Sequence, residues 1–198
     1  MSEQILVRHC SPTLAGLKTG NMFTCEHTSH EDVREFIRAL NRRLKKKGLR
    51  VLPLRFGDKK ALIYIYRPTR LTRDLQNSLA SMLLSQRGYD GMSPERCIIQ
   101  LIRKLRESAE FDRMEFPHEI GLFLGYPPED VHGFIENKDN FKCVGAWKVY
   151  GDEAAAQLTF AKYKNALQST VTSMPKGSLL NDSRLQDNFF TKKLRQSA

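Results

Sequence analysis

The segment from residue 9 to residue 25 contains the closest grouping of reactive side-chain types in the chain. Its candidate site residues are His9, Cys10, Ser11, Thr13 and Lys18. The thiolate is the nucleophilic and metal-binding form of cysteine, and a helix N-terminus or a nearby positive charge lowers the pKa of the thiol. We therefore predict that Cys10 is a nucleophile or a ligand, and that Lys18 and the two hydroxyl side chains hold an anion or a small molecule.

This prediction depends on the local structure around Cys10. Residues 4–8 predict a short strand, and Ser11-Pro12-Thr13 is typical of a helix start, because proline is favoured in the first helical turn. A thiol in such a turn lies beside backbone N–H groups that stabilise negative charge. Plain packing and capping, binding of an anion or small molecule, and a reactive or metal-bound thiol all stay open as interpretations. The spacing of Gly16 and Gly20 fits neither a P-loop nor a dinucleotide fingerprint, and no cofactor is indicated.

A second group of candidate residues follows Pro117 at a predicted helix start. His118 is a possible base for the Cys10 site, and Glu119 is a possible ligand contact. Adjacent residues on a helix point about 100° apart, so these two need a further element to form one site. Capping and surface positions are the alternative interpretation. Trp147, the only tryptophan, is predicted either to stack on a flat ligand or to be a core residue with a bonded indole N–H.

Positive charge is concentrated in a basic segment, residues 34–73. It holds fourteen Lys or Arg and only two acidic residues, which gives +12, whereas the whole chain carries +10. Such an asymmetry favours an anionic partner, so the alternative function is non-enzymatic binding of nucleic acid or an acidic partner. Tyr64 and Tyr66 lie on one predicted strand face, where bases would stack. The proposed contacts are Arg42, Arg43, Lys45, Lys46, Lys47 and Arg67.

Length and composition predict one globular domain. The chain has 198 residues, of which 40% are hydrophobic and 27% are charged. We expect a single domain over residues 1–172 and a flexible tail over residues 173–198. The four cysteines form no Cys-x-x-Cys pair, so neither a disulfide scaffold nor a zinc finger is predicted. No apolar run is long enough to span a membrane and no signal peptide is evident, which favours the cytoplasm.

Hydrophobic periodicity predicts an α+β fold with a mixed sheet covered by helices, and a layered α/β sheet is the alternative. The predicted helices cover residues 33–44, 71–83, 94–105, 117–124, 128–137 and 152–167. The predicted strands cover residues 4–8, 21–25, 49–56, 61–66 and 141–150. Because Pro53 cannot donate a hydrogen bond to a neighbouring strand, strand 49–56 is expected at a sheet edge.

Three stretches carry a resemblance to a known family. They are HCSPTLAGLKTGNMF at residues 9–23, FPHEIGLFLGYPPEDVHGFIENK at 116–138 and WKVYGD at 147–152. Over residues 3–168 the chain resembles a family of uncharacterised bacterial proteins, the domain of unknown function DUF3793, and this resemblance implies no activity. Family members commonly have a cysteine directly before the glycine that aligns with Gly145, whereas Val144 stands here, and often another near Asn165. A multi-cysteine metal site in the family would therefore be incomplete in this chain.

Overall fold

A three-stranded antiparallel sheet lies at the centre of the computed structural model, which describes residues 3–111 and 115–172. The strands are β1 (Gly20–Glu26), β2 (Arg50–Phe56) and β3 (Lys60–Tyr66), in the spatial order β1-β3-β2. A second hairpin consists of β4 (Cys143–Val144) and β5 (Lys148–Val149). The helices are α1 (Glu3–Leu14), α2 (His30–Leu44), α3 (Pro68–Leu75), α4 (Ser78–Gln86), α5 (Pro94–Glu110), α6 (Ile120–Phe123), α7 (Pro128–Glu136) and α8 (Glu153–Thr172).

The register of the sheet separates two hydrophobic cores. Ile63 pairs with Phe23 and Tyr64 pairs with Met22, and successive side chains on a strand point to opposite faces. The Ile63 face packs against α1 and α2, through residues such as Leu6 and Val33. The Tyr64 face packs against residues of α3 to α7. The sheet therefore lies between two helical layers, and the predicted α+β class is confirmed.

Helix α2 forms as its sequence predicts. The Ser29 hydroxyl accepts a hydrogen bond from the Asp32 backbone N–H at 3.1 Å, which caps the first turn. Val33, Ile37 and Leu40 recur at helical spacing and are buried. A 3-10 turn over Lys45–Lys47 follows, and Gly48 ends it with a left-handed φ of 70°.

The strands predicted over residues 49–56 and 61–66 form the β2–β3 hairpin, and the predicted edge position of β2 is confirmed. The Asn41 side chain closes part of that edge. The Asn41 amide donates to the Val51 carbonyl at 2.7 Å and accepts from the Val51 N–H at 2.9 Å. The register shifts between Pro53 and Arg55. A proline, a bulge and a side chain bonded to the backbone all discourage pairing with another chain.

The predicted strand over residues 4–8 is wrong, because these residues belong to helix α1. Leu6 and Cys10, four residues apart, are both buried in the core below the sheet, as one face of a helix requires. Pro12 lies near the end of this helix rather than at its start. The predicted mixed sheet is also wrong, because both sheets in the described ranges are antiparallel.

Other boundaries also differ from the prediction. The helix predicted over residues 71–83 is two helices, because the Asn77 side chain accepts from two backbone N–H groups and starts α4 anew. Helix α6 is a single turn. The strand predicted over residues 141–150 is the short β4–β5 hairpin. Its turn contains Gly145, where a Cβ atom would lie 2.1 Å from the Phe160 ring.

Helix α8 and the second hairpin enclose a third hydrophobic cluster. It is built from Trp147, Val149, Ala156 and Tyr163. No helix in the described ranges is both long and apolar enough to cross a membrane. The predicted flexible tail, residues 173–198, lies outside the described residues.

Candidate functional site

Cys10 lies inside helix α1, and the prediction that it occupies a helix start is wrong. Its side chain has no exposed surface and packs with Leu6, Phe23 and other apolar residues of the core that contains α1 and α2. A sulfur atom in this position has no access to a dissolved substrate. The N–H groups of a helix N-terminus, which lower the pKa of reactive cysteines, lie at the other end of α1.

The other predicted residues of this segment are mostly buried as well. Ser11 and Thr13 have no exposed surface, and the Ser11 hydroxyl donates to the Val7 carbonyl within α1. The Thr13 hydroxyl is buried without a hydrogen-bond partner. The His9 ring is partly buried and stacks against Phe23, with 6.4 Å between the ring centroids. These side chains belong to the core rather than to an open site.

Lys18, the proposed anion holder, is only 5% exposed. Its ammonium nitrogen lies 4.8 Å from the centroid of the Tyr126 ring, a cation–π contact. The neighbouring Thr19 hydroxyl donates to the carboxylate of Asp74. Lys18 therefore helps to join β1 to the segment after α6 instead of facing solvent.

His118 and Cys10 are not brought together. The His118 ring contacts Phe116 at 5.5 Å and Phe134 at 5.0 Å, and Phe134 belongs to α7. Helix α7 packs on the Tyr64 face of the sheet, whereas Cys10 lies on the opposite face. Burial lowers the pKa of the imidazole, more than the nearby Glu115 and Glu119 raise it. His118 is therefore not placed to act as a base for Cys10.

Glu119 is instead the centre of a buried polar network. One of its carboxylate oxygens, Oε1, accepts from the Lys104 ammonium at 2.9 Å and from the Tyr89 hydroxyl at 3.0 Å. The same ammonium donates to the Arg87 carbonyl at 2.6 Å. The second carboxylate oxygen, Oε2, is buried without a partner. Burial and the Glu119 charge both raise the pKa of Tyr89. This network joins α5 to the loops before it and before α6.

Lys104 and Tyr89 were missed from the sequence, although Lys104 leaves a signal there. Helix α5 buries Cys97 and Leu101, and position 104 continues their helical spacing. A lysine on the apolar face of a helix needs a buried anionic partner, because a buried unpaired charge costs several kcal/mol. The position of that partner depends on the tertiary fold.

Trp147 is a core residue. It is 6% exposed, stacks on Tyr126 with centroids 5.1 Å apart, and meets Phe160 edge-on at 4.6 Å. Its indole N–H donates to the Asp130 carboxylate at 2.6 Å. The other oxygen of Asp130 accepts from the backbone N–H groups of Tyr150 and Gly151, both at 2.7 Å. The structure therefore favours the core interpretation over ligand stacking.

Several cations of the basic segment are paired within the protein. Glu31 forms ion pairs with Arg34 and Arg38, which partly neutralise both arginines. Further ion pairs join Lys60 to Glu26 and Arg73 to Asp74. The segment is therefore less uniformly positive than its composition indicates.

Arg67, predicted to contact nucleic acid, has a structural role. Its guanidinium donates to the carbonyls of Thr13 at 2.9 Å, Leu14 at 2.8 Å and Lys47 at 3.0 Å. These carbonyls end α1 and the 3-10 turn, where helix carbonyls lack intrahelical partners and carry partial negative charge. Arg67 therefore connects the ends of two helices to the end of β3.

The 3-10 turn after α2, called here the lysine turn, is an exposed part of the basic segment. Lys45, Lys46 and Lys47 are exposed, as is Arg42 in the last turn of α2. Among the described residues, these four cations form no ion pair. Arg43 is also exposed, next to Arg42. The lysine turn is held at its end by the Arg67 bond to Lys47 and by Leu49, which is 1% exposed.

Tyr64 and Tyr66 do not form a platform for bases. Tyr64 has no exposed surface, and its hydroxyl donates to the Phe123 carbonyl at 2.5 Å. The Tyr66 ring stacks on it in parallel, with 4.8 Å between centroids. The face that was predicted to meet bases is covered by the α3–α7 layer.

An open groove runs beside the cations along the exposed face of α2. Its lining includes Asp32, Glu35, Phe36, Arg38, Ala39 and Arg42. Acidic residues line it toward the N-terminus of α2, and arginines line it toward the C-terminus. The groove therefore becomes more positive toward the lysine turn.

Comparison with known proteins gives one match. The family described as "Protein of unknown function (DUF3793)" matches residues 6–182. No curated protein and no solved structure matches the chain.

Proposed function

The chain belongs to the DUF3793 family, whose description names no activity, and we propose from its own residues that it binds nucleic acid through the lysine turn. The observation that carries this proposal is the run of exposed cations at the end of α2. Between Glu35 and Asp58 the chain has eight Lys or Arg and no acidic residue. Cations arranged in this way attract phosphates and release the counterions bound to them.

The rigidity of the turn supports the same function. Asn41 ties α2 to β2, and Arg67 bonds the Lys47 carbonyl, so the backbone below the lysines is fixed on both sides. A fixed backbone reduces the conformational entropy that is lost on binding. Only the side-chain torsions of the lysines then have to become ordered when these residues contact phosphates.

Phosphate contacts of this kind carry no sequence information, so the protein is expected to bind without a preferred sequence. A cytoplasmic location is part of this proposal. All four cysteines, each inside the described residues, are free thiols, and a reducing compartment keeps thiols in that form.

The test is the fluorescence anisotropy of a labelled nucleic acid over salt concentrations from about 50 to about 200 mM. We expect the variant K45A/K46A/K47A to lose most of the affinity. For a duplex, the slope of log K against log salt should fall by about 0.9 for each phosphate contact removed.

A matched control removes the same charge elsewhere. Lys138, Lys162 and Lys164 are exposed and lie outside the basic segment. The variant K138A/K162A/K164A should bind nearly as well as the wild type. Equal losses in both variants would mean that binding follows net charge alone, and a wild type that binds no nucleic acid at low salt would refute the proposal. If poly-glutamate competes as well as nucleic acid, the partner is an acidic protein.

A further inference from the structure

Four aromatic side chains lie in the basic segment, and three of them are held away from a bound strand. Tyr64 is buried and Tyr66 stacks on it. The Phe56 ring contacts His30 at 4.7 Å, and the Arg34 guanidinium lies over it at 5.5 Å. Proteins that prefer single strands stack successive bases on aromatic rings. This segment offers no series of free rings among its described residues.

The fourth ring, Phe36, is partly buried against the core below α2 and lines the groove. A single ring at a groove wall can meet one base at most. The exposed groups that remain near the lysine turn are long cationic side chains, which contact phosphates. The affinity of this surface for a nucleic acid therefore depends on how closely the phosphates of that nucleic acid are spaced.

A duplex presents that density better than a single strand. It carries one negative charge per about 1.7 Å of axis, against about 3.4 Å for one strand, and its bound counterions are released in larger number. A cationic turn on a fixed backbone also suits a stiff ligand, because neither partner loses much conformational freedom.

We propose that the lysine turn and the adjacent arginines of α2 bind double-stranded nucleic acid through its phosphates, with no contact to the bases. This inference rests on the proposed function, since it names the form of the nucleic acid that the same surface takes.

The experiment compares a labelled duplex, its separated single strand and a second duplex of unrelated sequence. We expect the duplex to bind more tightly than the single strand at every salt concentration. The slopes should be about 0.9 and about 0.7 per phosphate contacted, respectively. The two duplexes should bind equally, and unlabelled duplex should displace the single strand.

Each outcome bears on one of the two claims. Tighter binding of the single strand overturns this inference but leaves the proposed function intact. Unequal binding of the two duplexes also overturns this inference and contradicts the expected absence of a preferred sequence, but it leaves the binding of nucleic acid by the lysine turn intact. If the protein binds none of these three nucleic acids, the proposed function itself is refuted. The variant F36L should leave duplex affinity unchanged, and a loss of affinity with F36L would show that base stacking contributes.

Discussion

The ammonium nitrogen of Lys104 lies 2.9 Å from Oε1 of Glu119, and the Glu119 side chain is only 1% exposed. Each partner compensates a charge that the interior would otherwise disfavour. The attraction is strong at this distance, but much of it only offsets the cost of removing both groups from water. The sequence predicted Glu119 as a possible ligand contact, without Lys104, and in the structure its carboxylate bonds to Lys104 and Tyr89.

The first prediction follows from that relationship. Lys104→Met leaves the Glu119 carboxylate buried without a compensating charge, so the free energy of unfolding should fall by about 3–5 kcal/mol in urea denaturation. Arg103→Met on the same helix breaks an exposed pair with Glu107 and should cost about 1 kcal/mol or less. The double variant K104M/E119L should recover part of the loss. A K104M protein as stable as the R103M protein would contradict the compensating role of Lys104.

The second prediction concerns Arg67. Arg67→Lys keeps the positive charge but cannot donate to three separate carbonyls in the planar arrangement of a guanidinium. We expect the free energy of unfolding to fall by about 2 kcal/mol, since hydrogen bonds from charged groups contribute about 1.5–3 kcal/mol each.

The control for Arg67 is Arg55→Lys, because Arg55 is exposed on β2 and its replacement should leave stability nearly unchanged. The two variants should also differ from the lysine-turn variant in binding. If R67K keeps its stability but loses affinity for nucleic acid, then Arg67 contacts the ligand directly, as the sequence had indicated.

Local patterns predicted α2 and the β2–β3 hairpin because their signals lie within the elements themselves. Each of these signals lies within a short stretch of the chain. They are the Ser29 cap, the helical spacing of positions 33, 37 and 40, and the turn after Phe56. Helix α1 was missed because Ser11-Pro12 is a strong local start signal, whereas the burial of Leu6 and Cys10 depends on the sheet.

The candidate site could be predicted only in part, for a similar reason. The cations at the end of α2 are exposed as their position on a helix face predicts. The partners of Arg67 lie more than fifty residues away at Thr13 and Leu14, and no spacing rule reaches across that separation. Composition therefore located the charge, while the fold decided which charges are available to a partner.

The third prediction tests the accessibility of the thiols. Cys10, Cys25 and Cys97 are buried, and only Cys143 is partly exposed. Burial raises the pKa of Cys25, Cys97 and Cys143, which keeps these thiols protonated. Near neutral pH, one thiol of the native protein should react slowly with Ellman's reagent. The substitution Cys143→Ser should abolish this slow reaction. All four cysteines should react in denaturant. Rapid alkylation of Cys10 below neutrality would instead restore the thiol-dependent hypothesis.

The fourth prediction uses the tyrosines, all six of which lie in the described residues. Burial raises the pKa of every one, and that of Tyr163 reaches about 12. Because the folded state favours the neutral phenol, this contribution to stability is complete below the unfolded pKa of about 10 and is lost as the pH rises further. Absorbance of phenolate should therefore be small at about pH 10 in the native protein, while the denatured chain is half ionised there.

The same titration reports on unfolding at alkaline pH. Tyr64 has no exposed surface and Tyr89 is only 3% exposed, so their ionisation should coincide with the loss of tertiary structure seen in near-ultraviolet circular dichroism. Tyr150 is less buried than these two and should ionise before that transition. Tyr150→Phe should remove the early phase and leave the later one in place. If all six tyrosines titrate together near pH 10 while the protein remains folded, the α3–α7 layer does not cover Tyr64 as described.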